Sequence, residues 1–190
     1  MITSLPNLLT LSRIAVIPLL IALFYWENPL SGWVALGFFT LAAITDFFDG
    51  YLARTMDQHS RLGQMLDPIA DKLLVASVVL MLVAFQQAPV LAALVFLCRE
   101  LMVSGLREFL AKIRVSMPVS RLAKWKTFIQ MFAIGFLLVG EVGPNFFHPA
   151  VTTVLIGEIL IWIAAILTLV TGYDYLRAGW RHLKGPAVDP

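Results

Sequence analysis

The sequence predicts an all-α, polytopic membrane protein with six transmembrane helices, on three observations. Of its 190 residues, 59% are hydrophobic and only 14% charged, and the mean hydropathy is +0.85, well above the apolar share of an ordinary soluble domain. Six apolar stretches, at about 7–25, 33–53, 66–86, 89–110, 121–140 and 150–172, approach the roughly 20 residues that one bilayer crossing needs. All 14 Lys and Arg residues fall on one side of that arrangement, or in helix halves that open toward it.

Each element has its own punctuation. The first stretch is interrupted by Arg13 and lacks a charged start followed by a small-residue cleavage site, so it is expected to stay attached and not to act as a removable signal peptide. Asn28-Pro29 and Ser31-Gly32 supply the turn into the second stretch, and the connection from the second to the third carries Arg54 and Arg61. Gln86-Gln87 before Pro89 separates the third from the fourth. The fourth contains Cys98, the only cysteine, so no intramolecular disulfide forms and the thiol is expected to pack in the interior. A basic cluster from Arg107 to Lys126 leads into the fifth, and Gly143-Pro144-Asn145 with Pro149 precedes the sixth. The breaks are short, so neighbouring helices pack antiparallel. Residues 1–184 read as a single transmembrane domain and 185–190 as a short flexible C-terminal tail.

The basic asymmetry sets orientation. By the positive-inside rule it places both termini and the second and fourth connections in the cytoplasm. The formal net charge of +2 is then a topology signal, and no nucleic-acid partner is implied. A basic rim also attracts anionic lipid head groups, by about 1 kcal/mol per residue near the surface.

The acidic residues carry the chemistry. Around the second connection the chain reads Asp46-Phe-Phe-Asp49-Gly50-Tyr-Leu-Ala53-Arg54, then eight residues, then Gly63-Gln-Met-Leu-Asp67-Pro-Ile-Ala-Asp71. Spacings of i,i+3 and i,i+4 put each Asp pair on one helical face, and a hairpin would bring the pairs together. A membrane carboxylate costs about 2.5–3.5 kcal/mol on insertion scales, and four of them repel one another unless protons or cations neutralise them. Hard oxygen donors without a nearby Cys or His pair favour Mg²⁺, Mn²⁺ or Ca²⁺ over zinc, and four carboxylates suffice for two ions clamping a phosphate. A solvated hairpin with helix-capping aspartates is the plainer alternative. Gly50 and Ala53 leave room for backbone or ligand to approach.

At these offsets the run resembles the signature of the CDP-alcohol phosphatidyltransferase family, with every fixed position filled. The resemblance implies the CDP-alcohol phosphotransferase fold of six membrane helices, usually as a homodimer in the lipid bilayer, and transfer of a phosphatidyl group from CDP-diacylglycerol to an alcohol. It implies that Asp46, Asp49, Asp67 and Asp71 hold two divalent cations, Mg²⁺ or Mn²⁺, on the pyrophosphate. Asp71 would also act as the catalytic base. Asn7, Thr10, Gly50, Ala53, Arg54, Ser60 and Gly63 would contact CDP-diacylglycerol. The expected place is a bacterial inner or cell membrane, with the active site cytoplasmic.

The acceptor is read from other residues. Asn7, Thr10 and Arg13 stand at i, i+3 and i+6 of the first helix, although Asn7 as a helix cap and Arg13 snorkelling to the interface would also account for them. The fourth helix holds Arg99-Glu100 and Arg107-Glu108, and the fifth begins with Lys124-Trp-Lys126. Intramembrane arginine marks a functional site by default, and its planar fork clamps phosphate. Arg99, Arg107, Lys124 and Lys126 are therefore the expected acceptor contacts, and an i,i+7 ion pair between Glu100 and Arg107 is the structural alternative. Together with Leu-Thr-Leu-Ser-Arg at residues 9–13, they resemble the branch of the family whose acceptor is sn-glycerol 3-phosphate. Inositol phosphate, serine or phosphatidylglycerol as acceptor are the alternatives within the family. A cation transporter using the four carboxylates is the alternative outside it, against which stand the absence of an inverted repeat and the position of the acids at helix ends.

Overall fold

Among the described residues six α-helices follow one another: α1 Leu5–Phe24, α2 Ser31–Met56, α3 Arg61–Ala84, α4 Val90–Lys112, α5 Arg121–Val139 and α6 Thr153–Leu183. The structure is a computed structural model that describes residues 5–56, 61–113, 115, 121–144 and 152–183, with side chains at 8–45, 66–113, 115, 122–144 and 152–180. No strand occurs among the described residues, and the 185–190 tail lies outside them. Two helical stretches, Leu122–Val142 and Thr153–Trp180, are each long and apolar enough to cross a bilayer, and Leu8–Phe24 and Ser31–Thr45 are shorter apolar runs.

The connections use the chemistry the sequence offers. Asn28 Oδ1 accepts from the Leu30 amide at 2.8 Å, turning the chain into α2. Gln86 takes a positive φ of 59°, which lets the amides of Gln87 and Ala88 donate to the Leu82 carbonyl at 2.7 and 3.1 Å and close α3. Pro89 then precedes α4 in extended conformation. Gly140, at φ 59°, turns α5 into a 3₁₀ segment over Gly140–Val142. The sixth helix runs to Leu183, past the apolar stretch ending near 172. No proline interrupts it before Pro186, and 31 residues span about 46 Å against a hydrocarbon layer of about 30 Å. Its last turns project beyond what a bilayer needs.

Packing shows the direction of the chain. The most extensive contact is α5 on α6, while α1 packs on α2 and α3, α4 on α6, and α2 on α5. Gly32 at the start of α2 lies against the end of α5, where an added Cβ would sit 2.5 Å from the Leu138 carbonyl oxygen. Gly157, early in α6, lies against Leu137 so closely that a Cβ would stand 2.7 Å from its Cδ2. Small residues at such crossings let backbones approach, as in membrane bundles. The starts of α1, α3 and α5 and the ends of α2, α4 and α6 therefore share one end of the bundle.

The main core joins Leu20, Phe39, Leu74, Val78, Leu82, Phe96, Ile134, Leu137 and Ile161. A smaller cluster of Val103, Ala123 and Tyr175, with Leu106 against it, lies nearer the shared end. Buried with these are Arg13, Lys126, Gln130, Thr168 and Thr171, while Leu101, Trp125, Ile166, Leu169 and Trp180 face outward. Large apolar side chains outside and cations inside suit a molecule whose solvent is not water. Cys98 is exposed. The expectation that it packs inside is corrected, because it lies on the outer face of α4 beside the inward Arg99.

Candidate active site

The carboxylates of α3 meet α1. Thr10 and Arg13, three apart on α1, are 3% and 1% exposed. Arg13 Nη2 pairs with Asp67 Oδ1 at 2.5 Å, Arg13 Nη1 pairs with Asp71 Oδ1, and Thr10 Oγ1 donates to Asp67 Oδ1 at 3.2 Å. A buried guanidinium is tolerated only when paired and hydrogen-bonded, and the i,i+4 pair on α3 does this with one oxygen from each carboxylate. Arg13 thus does not snorkel to the surface. Pro68, between the two acids, has no N–H to offer the carbonyl four residues earlier.

The other signature residues are placed by backbone. Asp46, Asp49, Gly50 and Ala53 share a face of the last turns of α2, with Arg54 following, and Gly63 stands in the first turn of α3. Asn7 is in the first turn of α1. The side chains of Asn7, Asp46, Asp49 and Arg54 lie outside the described residues, as does Ser60 entirely. Consistent with that, no group of three His, Cys, Asp or Glu occurs among the described residues.

The donor set suits a divalent cation. Asp67 and Asp71 bring hard oxygens to one guanidinium, so their carboxylates converge, and both remain partly open, at 39% and 43% exposed. One guanidinium offsets one of these two carboxylates, which leaves negative charge for a bound cation to neutralise.

A second, cationic cluster joins α4, α5 and α6. Lys126, 2% exposed, gives its Nζ to Glu100 Oε1 at 2.6 Å. Arg99 Nη1 reaches the same oxygen at 3.0 Å, and Arg99 Nη2 lies 3.5 Å from Thr171 Oγ1. Arg107 Nη2 donates to the Tyr175 hydroxyl at 2.9 Å. The Tyr175 ring lies beneath both guanidiniums, its centroid 4.9 Å from Arg107 Cζ and 5.5 Å from Arg99 Cζ. Gly172 makes room for this, since a Cβ there would sit 3.1 Å from Arg99 Cγ.

Among the described residues, the cluster holds three cations against one carboxylate. It also holds unmet donors: the buried Nε atoms of Arg99 and Arg107 have no hydrogen-bond partner among the described residues, a condition that costs free energy until an acceptor arrives. An oxyanion answers both the charge and the donors.

Of the expected acceptor contacts, the structure gathers Arg99, Arg107 and Lys126 into this cluster and leaves Lys124 exposed, two residues round the helix from Lys126. The i,i+7 pair of Glu100 with Arg107 does not form, because Glu100 turns to Lys126 and Arg99 and Arg107 to Tyr175. Tyr175 and Thr171 were not among the expected residues. Their sequence signal is the run Thr168, Thr171, Tyr175 at i, i+3, i+7, one polar stripe on an apolar helix.

A family model described as CDP-alcohol phosphatidyltransferase matches residues 3–170. The chain is 51% identical to a Rickettsia bellii protein named CDP-diacylglycerol--glycerol-3-phosphate 3-phosphatidyltransferase, the match covering 92% of this chain and 94% of that protein. Proteins of the same name are 41% identical in Pseudomonas fluorescens, over 95% of this chain and 92% of that protein, and 38% identical in Cereibacter sphaeroides, over 95% and 97%. Arg13, the carboxylates, Arg99, Arg107 and Lys126 all fall within the family match, and Tyr175 lies just beyond it.

Proposed function

Because the chain belongs to the CDP-alcohol phosphatidyltransferase family, we propose that it makes phosphatidylglycerophosphate and CMP from CDP-diacylglycerol and sn-glycerol 3-phosphate. The observation that carries the acceptor is the cationic cluster of Arg99, Arg107 and Lys126, whose excess of two positive charges over Glu100 matches a phosphate monoester dianion. Serine and phosphatidylglycerol do not offer that charge. Inositol phosphate does, and the names of the relatives favour glycerol 3-phosphate over it.

In this reading all six helices span the bilayer as one domain, the protein is a homodimer, and the shared end of the bundle faces the cytoplasm. The basic residues at that end and the outward apolar faces support it. Asp46, Asp49, Asp67 and Asp71 would hold two divalent cations, Mg²⁺ or Mn²⁺, which when bound supply charge neutralisation for the pyrophosphate.

The remaining steps belong to the chain. Arg99, Arg107 and Lys126 hold the acceptor's phosphate, and Tyr175 holds the two arginines. Asp71, oriented by Arg13, takes the proton from the acceptor's 1-hydroxyl. That oxygen forms a bond to the lipid-side phosphorus while the bond to the CMP phosphate breaks, and CMP leaves with the electron pair. Thr10 fixes Asp67, and Asn7, Gly50, Ala53, Arg54, Ser60 and Gly63 cradle the nucleotide. Catalysis by positioning and electrostatic clamping suffices, with no covalent enzyme intermediate.

The test is CMP release by the purified chain in detergent, with CDP-diacylglycerol and each of glycerol 3-phosphate, inositol phosphate, serine and phosphatidylglycerol, with Mg²⁺ or chelator. Metal-dependent release with glycerol 3-phosphate alone is the expected result. Release with another acceptor in preference, or none without an ion gradient, overturns the reading.

A further inference from the structure

Glu100 is out of place in a pocket built for an anion. Its Oε1 accepts from Lys126 Nζ at 2.6 Å and from Arg99 Nη1 at 3.0 Å, so a single oxygen holds cations from two helices. The cations it holds are deeper than it is: Lys126 is 2% exposed and the Arg99 side chain 10%, whereas the Glu100 side chain is 32% exposed. The carboxylate therefore stands on the open side of the two charges.

Carboxylate and phosphate oxygens satisfy guanidinium and ammonium donors in the same way. An anion entering the cluster meets Arg107 held by a neutral hydroxyl, but meets Arg99 and Lys126 already paired with Glu100. Without any carboxylate the cluster would hold three clustered cations, two of them almost fully buried, at a high cost in desolvation and repulsion. Glu100 removes that cost in the acceptor-free protein.

Building on the acceptor reading above, we propose that Glu100 is an internal surrogate for the acceptor's phosphate and sets the charge selectivity of the site. It holds Lys126 and Arg99 until a phosphate monoester takes them over, and an anion of lower charge does not compensate for displacing it. Glu100 then acts against acceptor affinity, opposite to a residue that only props the pocket.

The sign makes this testable. In the full-length chain, with Mg²⁺ and saturating CDP-diacylglycerol, Glu100→Gln keeps the side-chain shape and removes the competing charge. A hydrogen bond to a charged group corresponds to about tenfold or more in an equilibrium constant, and a carboxylate this exposed belongs at or below the low end. The KM for glycerol 3-phosphate and the inhibition constant of inorganic phosphate should both fall by about fivefold or more. Glu100→Asp keeps the charge but draws it back from Lys126, so phosphate inhibition should tighten there too, by about two- to threefold, and this variant decides if Glu100→Gln does not fold. Weaker or unchanged phosphate inhibition in the folded variants overturns the proposal. Arg107→Ala, measured beside them, separates the two ideas: if it raises the KM while Glu100→Gln fails to lower it, only the surrogate role is lost. If Arg107→Ala leaves the KM unchanged, the acceptor site itself is misplaced.

Discussion

Replacing Tyr175 with Phe removes one oxygen from a buried side chain, 5% exposed, and asks whether that oxygen positions the acceptor pocket. The hydroxyl accepts from Arg107 Nη2 at 2.9 Å, and the ring, which Phe retains, lies 4.9 and 5.5 Å from the two guanidinium carbons. A hydrogen bond to a charged donor contributes about 1.5–3 kcal/mol. Arg107 is only partly buried, so the lower end applies, and about 1.4 kcal/mol corresponds to tenfold. Loss of the hydroxyl frees Arg107 to turn from the site and leaves another donor unmet beside Nε. The KM for glycerol 3-phosphate should therefore rise about tenfold in Tyr175→Phe, with kcat altered by less than about threefold. Tyr175→Leu removes the ring as well, with each cation–π contact adding about 0.5–2 kcal/mol, and its KM should rise by roughly a further factor of ten. Initial rates of CMP release across a glycerol 3-phosphate series give both constants. A KM for Tyr175→Phe within about twofold of the unmodified enzyme, or a fall in kcat at unchanged KM, would refute the positioning role.

Three further perturbations probe other parts of the site. Asp71→Asn should lower turnover by about 10²- to 10⁴-fold, the usual contribution of a general base, and retention of most activity in steady-state assays would remove Asp71 from the proton transfer. Arg13→Gln removes the guanidinium charge that Asp67 and Asp71 share; the exposure of both carboxylates reduces the usual 3–5 kcal/mol for a broken buried pair to roughly 2 kcal/mol. Its melting midpoint in chelator should fall by several degrees and recover with Mg²⁺ by more than the unmodified protein gains, and an equal Mg²⁺ response in the two proteins would contradict this. Gly172→Ala sets a Cβ 3.1 Å from Arg99 Cγ, so Arg99 must shift by a few tenths of an ångström, and the glycerol 3-phosphate KM should rise about threefold with thermal stability little changed.

Local pattern made some of this legible and long-range contact hid the rest. Six helices and their order follow from apolar length and turn residues, because each helix satisfies its own backbone. The pairing of Asp67 with Asp71 is legible because i,i+4 spacing is a property of one helix. The pairing of Arg13 with Asp67 and Asp71 spans more than fifty residues and depends on how α1 packs against α3, which no window of sequence reveals. Tyr175 was hidden for two reasons: it meets Arg107 across 68 residues, and it lies beyond the apolar stretch that marks α6, in turns that hydropathy does not register. The separation of Lys124 from Lys126 was available, since two residues along a helix turn a side chain through about 200°. Glu100 had several cationic partners in reach, and only the placement of α5 decides for Lys126 over Arg107.

The cationic cluster of Arg99, Arg107 and Lys126 is the proposed seat of the acceptor's phosphate. Its most direct test compares the unmodified chain with Arg107→Ala in CMP release at saturating CDP-diacylglycerol and fixed Mg²⁺, across glycerol 3-phosphate concentrations. Loss of a charge-assisted contact of about 1.5–3 kcal/mol should raise the KM by about 10- to 100-fold while kcat changes by less than about threefold. An unchanged KM would place the acceptor elsewhere.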